Sequence, residues 1–327
     1  MSPIDSVAIP SNEVLLRAQS QWLFTSAELL RTPSILDGLS PAQEHSNRSK
    51  GVNFITQVGI LLKLPQITLA TASVYLHRFY VRHSMVDLPS RPGLHHYAIA
   101  ATSLFLATKV EENCRKMKEL VVACCRVAQK QPNLVVDEQN KEYWRWRDTI
   151  LVNEDLLLES LCFDLQLEHP HRLLFDILCY YNVQDNKHLR NAAWAFVNDS
   201  NLTTLCLLFP ARTIAAAALY AAAKHTDVAF PDDEWGRPWW EQLSLDIVEL
   251  RKACSVLAEA YEENPLPRQG EKGLYAREED DIDENGAKTR SSPLTTTTTT
   301  TNGNVQSRAL EEERPVSMSE GSEEGEV

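Results

Sequence analysis

The sequence predicts an all-α protein in which one five-helix repeat is used twice. The first observation is the stretch Tyr97 to Glu112, YAIAATSLFLATKVEE. At helical spacing it is apolar nearly all round until Lys109, and a helix without a polar face is a buried one. Its alanines let neighbouring helices approach closely from several directions, because interaxial distance depends on the side chains at the contact. The second observation is an echo: Arg212 to Asp227, RTIAAAALYAAAKHTD, repeats the pattern 115 residues later, with Lys224 at the phase of Lys109 and Tyr220 at that of Phe105. The third is a series of helix-start signals spaced along the chain on both sides of these two stretches.

In chain order, residues 1–20 read as a tail leading into a helix. Thr25-Ser26-Ala27-Glu28 has capping-box spacing and starts a short helix at Ser26. Thr32-Pro33 ends it, since the residue before proline leaves the helical region. Ser40-Pro41-Ala42-Gln43 places a cap, a first-turn proline and a returning glutamine ahead of a helix that runs to about Leu62. Leu64-Pro65 opens another, Ile67 to about Arg82. The central helix follows, its end (Lys109, Glu111, Glu112) expected at the surface. Met117–Gln129 and Trp144–Cys162 complete five helices. The second repeat opens at His169-Pro170-His171 and continues through Leu173–Tyr181, Leu189–Leu202, Leu205–Leu208, the echo helix and Ile247–Tyr261. Between the last two, Phe230–Trp240, with Pro231, Gly236, Pro238 and three tryptophans, reads as a folded-back loop. The domains expected are a tail (1–20), an N-terminal repeat (21–165), a C-terminal repeat (166–263) and an acidic tail (264–327).

That last segment holds 14 acidic and 7 basic residues and seven successive threonines, Thr295 to Thr301. It cannot bury enough apolar surface to offset its chain entropy and is expected to be disordered. The rest of the chain carries the other −6 of the −13 net charge, which argues against nucleic-acid phosphate as the main ligand. Seven cysteines without a secretory signal read as reduced thiols of an intracellular protein. The longest apolar run, Ile214 to Ala223, is ten residues, half of what a membrane span needs. Cys114, Cys124 and Cys125 lack the paired short spacing of a zinc site and read as buried thiols. Arg115, Lys116 and Lys118, with Arg126 and Lys130, read as a solvated helix face. No phosphate-binding glycine loop, nucleophile elbow or metalloprotease motif is present, so neither cofactor nor metal nor catalytic residue is expected.

Several ordered motifs carry a resemblance. They are Val74-Tyr75-Leu76-His77-Arg78-Phe79-Tyr80, then Leu104 to Glu112, then Asn153-Glu154-Asp155 leading to Cys162-Phe163-Asp164-Leu165. Together they resemble the cyclin family over roughly Gln21 to Glu263, and so imply tandem cyclin folds. Trp22 with Thr32-Pro33-Ser34, Glu168-His169-Pro170-His171, Ala195 to Ser200 and Trp239-Trp240-Glu241-Gln242 are most similar to the transcriptional group, cyclins K and T. Cyclin K and its fungal counterparts match best.

The resemblance implies a nuclear, non-catalytic partner of a cyclin-dependent kinase that phosphorylates the repetitive C-terminal domain of RNA polymerase II. It assigns kinase contact to Lys109 and Glu154, the family's invariant lysine and glutamate, and to the apolar Val110, Leu158, Phe163 and Leu165. Arg48 matches an arginine that braces the first helix, but the acid it pairs with in cell-cycle members is His77 here, so its brace must differ. The alternative is a general-transcription-factor relative of the same double fold that binds nucleic acid or the transcription machinery without a kinase. That reading wants a basic body and a preceding zinc ribbon, and this sequence has neither.

Overall fold

The computed structural model describes residues 13–263; residues 1–12 and the acidic tail, with the disorder expected there, lie outside the described residues. The described residues are helical and contain no named strand. Three short helices lead in: α1 (Glu13–Ser20), α2 (Ser26–Leu29) and α3 (Pro33–Leu36). The Thr25–Glu28 capping box forms as the spacing predicts. Pro33, expected only to stop a helix, also sits at the first position of α3, where its missing N–H costs nothing.

The first large core is built by α4 (Pro41–Leu61), α5 (Gln66–Arg82), α6 (His96–Val110), α7 (Met117–Ala128) and α8 (Lys141–Ser160). Ser40 and Gln43 cap α4 reciprocally. The alanine-rich α6 packs against α4, α5, α7 and α8, and ten of its side chains are buried. α4 comes close to α5 because Gly59 lies against Leu69: a Cβ at Gly59 would overlap Leu69 Cδ2.

The second core comprises α9 (Pro170–Tyr180), α10 (Lys187–Ser200), α11 (Leu205–Leu208), α12 (Ala211–His225), α13 (Trp239–Gln242) and α14 (Ile247–Glu263). Here α12 is the counterpart of α6, offset by the same 115 residues and packed against α9, α10, α11 and α14. The tryptophan-rich stretch is mostly loop but ends in the single turn α13.

Most of these helices end without glycine. Lys63, Glu112, Lys130, Asn182 and Asp227 take left-handed φ values of 51–54° just past their helices. The next N–H then reaches back to close the end, as Asn113 does to the Thr108 carbonyl at 2.8 Å. This termination stops α6 at Val110, two residues before the end expected from the sequence.

Direct bonds join the halves. Ser49 Oγ donates to the Leu202 carbonyl at 2.9 Å, while Tyr75 Oη holds the end of the first half by donating to the Leu165 carbonyl at 2.7 Å. The imidazole Nε2 of His77 meets the Asn201 carbonyl at 2.9 Å. Thr71 Oγ1 donates to Glu111 Oε1 at 2.6 Å and lies 3.0 Å from His169 Nε2. Glu111, expected at the surface with Lys109 and Glu112, therefore turns inward. The His169 and Thr71 hydrogen bonds hold its carboxyl below the usual range.

Candidate functional site

Lys109 lies in the last turn of α6, where the helix emerges from the core. Its Nζ is 2.5 Å from Glu154 Oε1 on α8, the two side chains being 44% and 15% exposed. The ammonium also sits 4.1 Å from the Phe105 ring centroid, one turn earlier. The second repeat reproduces this contact at the equivalent residues, Lys224 lying 5.2 Å from the Tyr220 ring. In each case a lysine stem can lie along the aromatic ring while its charge stays wet. The pairing of Lys109 with Glu154 comes from α6 and α8 packing side by side, which brings together residues 45 apart in sequence.

The four apolar candidates separate in burial. Val110, Leu158 and Leu165 are half-buried against the first core. Phe163 is 67% exposed. It and Cys162 hold left-handed conformations just past α8, with the Phe163 N–H bonded to the Leu158 carbonyl. Two further residues of α8, Leu151 and Val152, present apolar side chains to solvent, Val152 at 73% exposure. Their signal was in the helical phase, because the buried positions Tyr143, Ile150 and Leu157 recur every seven residues and leave Val152 on the outer face. The ion pair thus shares α8 and its end with exposed apolar side chains, an arrangement suited to a protein partner.

Arg48 is elsewhere, fully buried. Its Nε and Nη2 donate to Glu44 Oε1 at 2.9 and 2.7 Å, and its Nη1 donates to the His77 carbonyl at 2.8 Å. Glu44 Oε2 accepts from Thr32 Oγ1 at 2.5 Å. The acid opposite Arg48 thus comes from its own helix. Position 77 instead supplies a backbone carbonyl to Arg48 and its ring to the second half. Burial, and then the Arg48 charge, push the His77 imidazole down to about 3, so the neutral ring donates from Nε2.

Among the described residues no group of His, Cys, Asp or Glu could hold a metal ion. Cys124 and Cys125 are buried, but Cys114, read from the sequence as a buried thiol, is exposed. It sits beyond the left-handed Glu112, outside any helical pattern. Of the basic group, Lys116, Lys118 and Lys130 are exposed as expected, whereas Arg115 and Arg126 are half-buried. Arg115 donates to the carbonyls of Leu62, Asn113 and Cys114, Arg126 to that of Leu134, while Lys118 pairs with Glu138.

Residues 20–166 match the cyclin N-terminal domain. Cyclin pch1 of Schizosaccharomyces pombe is 43% identical over 263 residues, covering 79% of this chain and 75% of that protein. Cyclin-K of Homo sapiens is 36% identical over 250 residues, 73% of this chain and 40% of that protein. Cyclin-T1-3 of Oryza sativa subsp. japonica is 34% identical over 257 residues, 77% and 51%. The chain thus spans three quarters of pch1 and about half or less of the other two relatives. Among solved structures, a chain of the CAK complex from Chaetomium thermophilum bound to ATP-gamma-S aligns over 79% of this chain and 84% of its own, with a TM-score of 0.57 and 17% identity. A chain of the yeast RNA Pol II CTD kinase CTDK-1 complex aligns over 78% and 73%, with a TM-score of 0.54 and 18% identity. These two likenesses concern the fold alone. With the relatives, the matched domain and the doubled helical repeat in agreement, the chain belongs to the cyclin family, in the transcriptional group that holds cyclins K and T.

Proposed function

We propose that this cyclin binds a cyclin-dependent kinase and holds it in its active shape, and that the kinase's substrate is the C-terminal repeat domain of RNA polymerase II. The chain itself is non-catalytic and acts in the nucleus. The observation that carries the docking assignment is the Lys109–Glu154 pair at the exposed end of the central helix, with Phe163 open to solvent at the end of the same α8. Lys109 offers donors to carbonyls of a kinase helix, Glu154 accepts from amides or a lysine there, and Phe163 supplies apolar area. Val110, Leu158 and Leu165 back that face, and Arg48, away from it, braces α4 against α5. Binding the active state better than the inactive one shifts the kinase toward it and completes the Lys–Glu pair that phosphoryl transfer requires.

The reading without a kinase is the weaker one. Nucleic-acid binding rests on clustered cations free to meet phosphate, whereas Arg115 and Arg126 spend donors on backbone carbonyls. Co-expression with the elongation-class kinases, followed by native mass spectrometry and assay on a C-terminal-domain substrate, tests the proposal. Reversing both charges, Lys109→Glu with Glu154→Lys, should abolish co-purification and leave the helical melt unchanged. A double variant that still co-purifies with full kinase activity overturns the assigned contact.

A further inference from the structure

A cavity of about 220 Å³ lies between the two halves, bordered by α5, by 167–170, by 200–214 and on one side by α1. Most of its wall is apolar, including Leu16, Ala70, Val74, Phe209 and Ile214. One charged side chain of α5 lines it: Arg78, which is 2% exposed.

Arg78 contrasts with Arg48, the buried arginine of α4. Arg48 has an acceptor at Nε, Nη1 and Nη2. Arg78 Nε and Nη1 have no acceptor among the described residues. Its guanidinium lies 4.7 Å from the centre of the Trp22 ring, a contact that engages its face and none of its N–H groups. Asp164 Oδ2 is 3.7 Å from Nη1, an ion-pair distance too long for a hydrogen bond. That oxygen already accepts from Trp22 Nε1 at 2.9 Å and Gln21 Nε2 at 3.1 Å. Burial lowers the Arg78 pKa to about 10, which leaves it a cation at neutral pH. A buried guanidinium with unspent donors is costly unless something else supplies acceptors.

We propose that this cavity is a binding site for a small monocarboxylate with an apolar body, its carboxylate accepting hydrogen bonds from the Arg78 guanidinium. The charge balance limits the occupant to a single negative charge at most. Asp164 lies beside Arg78 and Glu168 borders the same cavity, so a doubly charged phosphate meets two acids and one cation. The apolar wall selects the body. The volume falls below the ~300 Å³ at which drug-sized sites begin, so one ring or a short chain fills it. Such an occupant touches both halves and α1, and binds only when they are assembled. The inference is independent of any kinase.

The test uses the full chain, titrated calorimetrically with phenylacetate and with the neutral isostere phenylacetamide, with thermal melts in parallel. Phenylacetate should bind one to one, at least tenfold more tightly than the amide, and raise the melting temperature with concentration, as a ligand of the folded state does. Arg78→Met should weaken phenylacetate binding at least tenfold. Should that variant fail to fold, Val74→Phe, which fills the cavity and keeps the cation, should show the same loss. Equal affinity for acid and amide, no binding of phenylacetate by the folded chain, or unchanged binding in Val74→Phe would overturn the site.

Discussion

Glu44 and Arg48, one turn apart on α4, form an ion pair at 2.7 Å with side chains 5% and 2% exposed. The pair is tied to α3 through Thr32 and to α5 through the His77 carbonyl. Removing one member strands a buried charge, which costs ~3–5 kcal/mol, whereas replacing both with apolar residues of similar volume is often close to neutral. Glu44→Leu or Arg48→Met alone should therefore lower the urea midpoint steeply. The double variant should recover much of that loss, as a double-mutant cycle on equilibrium unfolding reads directly.

Lys109→Met should behave in the opposite way. With Lys109 44% exposed, its pair with Glu154 contributes no more than ~1 kcal/mol to stability. Urea denaturation should barely move while co-purification with the kinase falls sharply. A large stability loss with binding intact would place Lys109 in the fold rather than the interface.

His77 makes the fold sensitive to acid. Its imidazole titrates at about 3 when folded against 6.5 when free. Between those values the unfolded chain binds a proton there that the native chain does not, so stability is complete above 6.5 and falls as the pH drops toward 3. The slope is ~1.4 kcal/mol per pH unit for each such group. His77→Gln keeps a donor for the Asn201 carbonyl and loses the proton. Unfolding free energies measured between pH 4 and 7 should show a shallower slope in that variant by about this amount.

Gly59→Ala should destabilise although alanine favours helix by ~1 kcal/mol over glycine. The added methyl group overlaps the buried Leu69 side chain, and overpacking of that kind costs ~1–3 kcal/mol. Pairing it with Leu69→Ala, which clears the space, should give less than the sum of the two single effects. Additivity in chemical denaturation would mean that α4 can move away from α5.

The sequence by itself determined the longer helices and their repetition, though not the single turns α3 and α13. Capping boxes, first-turn prolines and an apolar stripe are local patterns, so the starts of α2, α4 and α9 and the correspondence of α6 with α12 could be read from neighbouring residues. Lys109 and Glu154 could be singled out by their motifs, and packing of α6 on α8 then set them 2.5 Å apart. What only the tertiary structure decided is the partner of each buried polar group. Arg48 found its acid on its own helix, His77 turned to Asn201, Glu111 turned inward to Thr71 and His169, and Arg78 was left with donors unspent. A helix forms from contacts three and four residues away, but a buried charge is satisfied by whichever distant atoms the packed halves bring beside it, and no local pattern records which those are.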